Sequence, residues 1–284
     1  MLLTVYVFWG STAPAMKIAV ASLPPFWMAA LRFTIAGAIL WVWCRVRGVP
    51  QPTSAEWRGA AITGIVGLVL GNALFAWTLQ YLPSGIDALV FALSPLWMAV
   101  FGFVLYRERL AFQALLGLGI GLAGMAFLYS PSGAQHLPGW PTALALGTSL
   151  AWGLASMMQR KYSDSDVVQM SALQMLVAAA VLYGLAVISG ERLHAVDLTP
   201  SAVGALAYLI VFGSLAGFSA YVWLMNNVPT TLGSTYAYVN PLVALTIGIG
   251  VLHEPFSWPL AAGAAVILAG VALMVTAPKV GPAP

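Results

Sequence analysis

The sequence predicts an all-α integral membrane protein whose ten transmembrane helices form two inverted five-helix repeats, and three observations carry that prediction. Apolar residues fill 61% of the 284 positions and charged residues only 7%, against about 25% charged in soluble domains. The apolar residues come in runs of about 20, the length a helix needs to cross the hydrocarbon core. The chain also repeats itself. Leu82 to Leu128 lies without a gap on Val228 to Met274, so that Pro83 meets Pro229, Ser94-Pro95 meets Asn240-Pro241, Glu108 meets Glu254, Gly117 meets Gly263 and Gly124 meets Gly270.

The first apolar stretch, 2–21, begins at Leu2 with no basic segment or small-residue cleavage site before it, so it is expected to be a retained span. Its Trp9-Gly10 resembles Trp152-Gly153, and its Pro14 has no counterpart, because Met157 stands there. The second stretch, 25–44, follows Ser22-Leu23-Pro24-Pro25, a link too short for anything but a tight helical hairpin, and its MAALRFTIAGAIL from Met28 resembles MSALQMLVAAAVL from Met170. The third, 58–80, carries Gly67, Gly71 and Trp77, which fall on Gly213, Gly217 and Trp223. The fourth, 85–106, holds Pro95 at mid-span and is followed by Glu108; the fifth, 111–129, holds Gly117, Gly121 and Gly124. The stretches 138–159, 167–189, 200–225, 231–252 and 257–277 repeat this order. Residues 1–130 and 138–277 are therefore read as the two five-helix repeats, and 278–284 as a short disordered tail. Continuous apolar runs rather than ten-residue alternation exclude a membrane barrel.

With the amino terminus inside, the cytoplasmic loops and ends hold Arg45, Arg47, Arg58, Arg107, Arg109, Arg160, Lys161 and Lys279, whereas the outer loops hold only Arg192. That bias places both termini in the cytoplasm. Five spans per repeat is an odd number, so the second copy enters from the opposite side. Two similar half-structures in opposite orientation can exchange conformations, which turns an outward opening into an inward one.

Charges within the spans are few: Lys17, Arg32 and Asp87, all in the outer half. An unpaired charge there costs about 3 kcal/mol or more, so partners are expected. For Lys17 the alternatives are snorkelling to the interface and solute binding; for Arg32 they are an ion pair with Asp87 and a carboxylate anchor. Pro95 and Pro241 free the carbonyls four residues back and bend their helices, which makes them either packing kinks or gates, with Ser94 and Asn240 facing a cavity. Trp9, Phe75, Trp77, Trp152, Tyr221 and Tyr236, with Asn72 and Gln159, sit at mid-span positions able to line an amphiphilic cavity. The glycine pairs read as close-packing faces, and the fifth and tenth helices can dock on each other or on a second subunit. Glu108 and Glu254 are read as ending equivalent helices, where a carboxylate opposes the macrodipole and needs a compensating partner.

The lone Cys44 allows no internal disulfide or thiolate cage, and His253-Glu254-Pro255 lacks the second histidine of a zinc-protease motif. With no GxSxG, no CxxC and no paired intramembrane carboxylates, no catalytic residue, metal site or cofactor is expected. The net charge of +3 is scattered at span ends and implies no nucleic-acid partner. The expected partners are a small solute and the lipid bilayer; an inverted repeat makes a monomer sufficient.

Each half has Trp-Gly early in its first helix, a basic residue eight after that Trp (Lys17, Arg160), a proline in its fourth helix (Pro95, Pro241) and a Glu ending that helix (Glu108, Glu254). This set resembles EamA-type members of the drug/metabolite transporter superfamily over nearly the whole chain. The resemblance implies a ten-helix secondary transporter of the bacterial inner membrane, most like the exporters of aromatic amino acids and metabolites. In that role Arg32 or Lys17 would bind carboxylate, Ser94 and Asn240 polar groups, and the aromatics the side chain. Carriers of phosphorylated sugars and nucleotide sugars, or of drug-like solutes, are the alternative; a channel or an intramembrane enzyme stands behind both. Related small multidrug exporters carry a proton-coupling Glu in the first helix, and Leu2 to Ala21 has no carboxylate, so proton antiport does not carry over.

Overall fold

The computed structural model describes residues 2–107, 111–129, 138–159, 165–194, 198–217, 220 and 236–278, and among them all secondary structure is helical. The first apolar stretch is two short helices, α1 (Leu2–Gly10) and α2 (Thr12–Val20), rather than one. Pro14 has no N–H for the Gly10 carbonyl, and the Ser11 hydroxyl donates to Val7 O at 2.6 Å at the joint. Its equivalent, α9 (Gly139–Gln159), carries Met157 in place of that proline and runs unbroken.

The helix α3 (Pro25–Val46) and its equivalent α10 (Val167–Ile188) both stop on a left-handed glycine, Gly48 at φ +71° and Gly190 at φ +75°. There Val49 N donates to Cys44 O and Glu191 N to Ala186 O, which satisfies carbonyls of the last turn. The third stretch is one span, Ser54–Thr78, made of α4 (Ser54–Gly64), a π-helical segment π1 (Ile65–Ala73) and α5 (Leu74–Thr78). It starts on a Thr53–Glu56 capping box. The eighth stretch matches it with α11 (Pro200–Tyr208) and π2 (Leu209–Ala216). The fourth divides into α6 (Ser84–Phe91) and α7 (Ser94–Tyr106) just before Pro95, and α8 (Phe112–Tyr129) follows. The later helices are α12 (Tyr236–Gly250), which keeps Pro241 inside it, and α13 (Trp258–Val275).

Five of these spans, Pro25–Val46, Ser54–Thr78, Ser84–Tyr106, Val167–Ile188 and Trp258–Val275, are long and apolar enough to cross a membrane. Phe112–Leu128, Pro200–Ala216 and Val239–Gly250 are shorter apolar helices. Large apolar side chains such as Val42, Trp43, Phe103, Val104, Val187 and Ile188 are exposed on the outside of the bundle, as lipid contact requires.

Packing joins the halves in matched pairs. α3 lies along α10, and α8 along α13. α9 packs on π1 and α7, while α1 and α2 pack in the corresponding way on α11, π2 and α12. The α8–α13 contact is made of backbone. A Cβ on Gly117 would stand 2.5 Å from Gly270 O, and one on Gly270 would stand 2.5 Å from Gly121 N. α8 and α13 therefore dock on each other within one chain.

Of the two residues named from the sequence as helix ends, Glu254 behaves differently. Arg107 and His253 occupy equivalent positions and share φ 54°, a left-handed turn after which the chain leaves the helix. Glu254 consequently stands beyond α12, and its carboxylate accepts from Ser84 N at 2.6 Å and Gly85 N at 3.2 Å. It complements the N-terminus of α6 instead of opposing the C-terminus of its own helix, and the Ser84 and Gly85 N–H groups are its compensating partners. Glu108 and Arg109 lie outside the described residues.

Candidate functional site

Helices from both halves surround a cavity of ≈ 1090 Å³, counting the space at its mouth. The two π-helical segments bring their glycines onto the tryptophans that open each half. A Cβ on Gly217 would stand 2.6 Å from the Trp9 ring, and one on Gly71 would stand 3.3 Å from Trp152 N. The Trp9 indole donates to Gly213 O at 3.0 Å, a carbonyl on π2. The wider turn of a π-helix and the missing side chains together let these rings reach the middle of the bundle.

The rings form two walls. Phe75, Phe91 and Trp152 make one, with centroids 5.1 Å apart for Phe75–Phe91 and 5.6 Å for Phe91–Trp152. Trp9 and Tyr236, edge to face at 5.5 Å, make the other. Such faces accept flat apolar groups by area and quadrupole.

Arg32 supplies the single formal charge among the described residues of the wall. It is 6% exposed. Nε donates to Ser214 Oγ at 2.9 Å, an NH group reaches Asn72 Oδ1 at 3.5 Å, and the guanidinium stands 5.4 Å from the Phe33 ring centre. Every one of these partners is neutral, and the ion pair with Asp87 is not formed. Asp87 is fully buried and meets Thr78 Oγ at 2.6 Å. Ser214 was not singled out from the sequence; its place directly after Gly213, the π2 glycine facing Arg32, was the available signal.

Ser94, Pro95, Asn240 and Pro241 line the cavity as well. The carbonyl that Pro95 frees, Phe91 O, accepts from the Ser94 hydroxyl on the same stretch of chain. Asn240 differs: its Oδ1 is buried and has no hydrogen-bond partner among the described residues.

The structure does not bring all the named residues to this wall. The Lys17 ammonium donates to the carbonyls of Leu79 and Leu82, the latter at 2.9 Å, where α5 ends; it neither snorkels freely nor enters the cavity. Trp77 is two positions from Phe75, hence about 200° round the helix. It stacks instead with Tyr81 and Trp140, at 5.1 and 5.2 Å. Gln159 is the last residue of α9, two turns or about 10 Å past Trp152, and does not reach the wall. Tyr221 lies outside the described residues. Phe91, Met98 and Met175 line the wall without having been singled out, since apolar residues in apolar spans give no local signal.

Comparison with known proteins gives this geometry its context. The EamA-like transporter family matches residues 1–130 and again residues 139–276. The "Uncharacterized inner membrane transporter YedA" of Escherichia coli strain K12 is 36% identical over 261 residues, spanning 90% of this chain and 83% of that protein. The "Uncharacterized transporter YvbV" of Bacillus subtilis strain 168 is 26% identical over 277 residues, spanning 96% and 90%. A solved crystal structure superposes with a TM-score of 0.69 at 23% identity, over 96% of this chain and 94% of its own, which speaks for a shared fold. Matched along almost its whole length, and carrying apolar spans around a central amphiphilic cavity, the chain belongs to the EamA-like transporter family: it is a membrane transporter and not an enzyme.

Proposed function

We propose that the protein exports small amphiphilic metabolites, amino acids including aromatic ones first among them, by alternating access around the central cavity. The observation that carries this reading is Arg32, a cation in an aromatic wall with only neutral partners. A solute carboxylate would complete it with charge-assisted hydrogen bonds. The unpartnered Asn240 Oδ1 would accept from the solute's ammonium, and the side chain would lie between the Phe75–Phe91–Trp152 and Trp9–Tyr236 walls. A phosphate monoester, at nearly two charges, fits worse, because Lys17 is engaged elsewhere and leaves one cation to receive it.

The alternation rests on ten spans in two inverted halves, 1–130 and 138–277, with both termini cytoplasmic in a bacterial inner membrane. The matched pairing of helices between the halves supports it. So does the difference at the equivalent prolines, since α6 and α7 part just before Pro95 whereas α12 continues through Pro241. One monomer contains all of these parts.

Counterflow tests the function. Proteoliposomes preloaded with an unlabelled amino acid are given traces of labelled phenylalanine, leucine or glutamate without a pH gradient. Saturable transient accumulation is expected, strongest for phenylalanine. Uptake that does not saturate would make the protein a channel, and an absence of counterflow with any amino acid would replace the substrate class with phosphorylated or drug-like solutes.

A further inference from the structure

We infer that Asp87 is a proton-binding residue that couples the carrier to the proton gradient by competing for Lys17 at the outer end of the cavity. This rests on the orientation and the alternating access proposed above; it does not rest on the substrate.

The first argument is a count of hydrogens. Thr78 Oγ stands 2.6 Å from Asp87 Oδ2 and 2.7 Å from Phe75 O. A threonine hydroxyl has one hydrogen to donate, and a carbonyl can only accept. With that hydrogen on Phe75 O, the contact to Asp87 needs the carboxyl's own proton. The second argument is burial: Asp87 is fully enclosed, and its Oδ1 has no hydrogen-bond partner among the described residues. An ionised carboxylate would leave that oxygen charged and unsolvated, which the low-dielectric interior strongly disfavours. Asp87 is therefore neutral in this conformation.

The third argument is the surroundings. Lys17, on α2, is in electrostatic reach of Glu254 first and of Asp87 second, yet its hydrogen bonds go to the Leu79 and Leu82 carbonyls. Those bonds tie α2 to the turn between α5 and α6. The other charged group facing this corner, Glu254 from the segment before α13, is held by Ser84 N and Gly85 N. α9 and α12, also packed on α6, bring no charged side chain among their described residues. Lys17 thus has two alternative sites, and the charge on Asp87 decides between them.

Loss of the proton makes a carboxylate that draws Lys17 off the two carbonyls and releases α2 from the α5–α6 turn, opening the outer end. A proton arriving from the outer water neutralises Asp87, Lys17 returns to the carbonyls and the outer end closes. The proton leaves to the inner side when the cavity opens there, so one proton enters for each solute exported. Ala88, next to Asp87, lines the cavity.

The test needs no substrate. Ala88→Cys is introduced with Cys44→Ala, and a membrane-impermeant maleimide is added to spheroplasts at about pH 5.5 and about pH 8, on either side of the range in which a buried carboxyl titrates. Thiol ionisation accelerates labelling with pH in every variant, so Asp87→Asn provides the reference slope. The expected result is a rise from low to high pH at least tenfold steeper with Asp87 present than in the Asp87→Asn reference, and fast labelling at both pH values in Lys17→Gln. Equal slopes with and without the carboxyl would overturn the proposal, as would slow labelling of Lys17→Gln at both pH values. In proteoliposomes, accumulation of labelled phenylalanine driven by a pH gradient is expected to fall at least tenfold in Asp87→Asn. A wild type without phenylalanine counterflow would overturn the substrate reading alone, and the labelling experiment would still decide Asp87.

Discussion

Arg32 holds its guanidinium against Ser214, Asn72 and the Phe33 ring, all neutral, inside a wall of aromatic rings. A hydrogen bond to a charged group contributes about 1.5–3 kcal/mol. Arg32→Gln is accordingly expected to weaken apparent affinity for a carboxylate-bearing solute by roughly 10- to 100-fold, with little change in melting temperature; unchanged counterflow kinetics would remove Arg32 from the site. Glu191, in the loop after α10, shows a different electrostatic balance. Burial pushes its pKa up, while the Phe26 and Trp27 backbone N–H groups it accepts from pull it down and only partly offset this. The folded protein thus holds this proton more tightly than the unfolded chain. The stabilisation is complete below the ordinary glutamate value of about 4.3 and is lost as pH rises through the higher folded value. Melting temperature is expected to decline across that window, and Glu191→Gln to flatten the decline. These partners were not legible from the sequence: for Arg32 it offered a pair with Asp87 or a solute carboxylate, but Ser214, 182 positions away, is what meets Arg32.

The helices were legible because each solves its own hydrogen bonding within a run of apolar residues, which a membrane span demands. Their interruptions were legible only in part. Pro95 announced the break just before it, whereas the break at Ser11 divides a stretch read as one span, and the π-helical turns of π1 and π2 depend on what packs against Gly67, Gly71, Gly213 and Gly217. Glycine spacing likewise announced close packing for the fifth and tenth helices without saying against what. The structure pairs them, and the pairing predicts a contrast. Gly117→Leu would drive a side chain into the Gly270 carbonyl, 2.5 Å from the new Cβ, while Gly119 has nothing within 4 Å. Overpacking of this kind costs about 1–3 kcal/mol or more. The first variant is expected to melt several degrees lower in detergent and Gly119→Ala to match the wild type; equal melting would mean that α8 and α13 are not in backbone contact.

At the scale of the molecule, orientation turns on charges that the packing does not decide. Arg192 and Arg47 are both exposed and lie in loops assigned to opposite sides. With Cys44→Ala, Arg192→Cys is expected to react with an impermeant maleimide on intact spheroplasts, and Arg47→Cys only after permeabilisation. The reverse pattern would invert the topology and turn the proposed exporter around.

The sequence by itself determined that this chain is helical and lives in a membrane, because composition, run length and the repeated register are properties of neighbours along the chain. It also determined which residues are candidates for the site. Only the tertiary structure decided which of them meet. Trp9, Arg32, Asn72, Phe75, Ser94, Trp152, Tyr236 and Asn240 share one cavity, while Lys17, Trp77 and Gln159 point elsewhere. The physical reason is that burial in an all-apolar span has no periodic signature. Which face of a helix is lined, lipid-exposed or packed is set by the partner helix, and α3 with α10, or α8 with α13, are partners separated by more than a hundred residues.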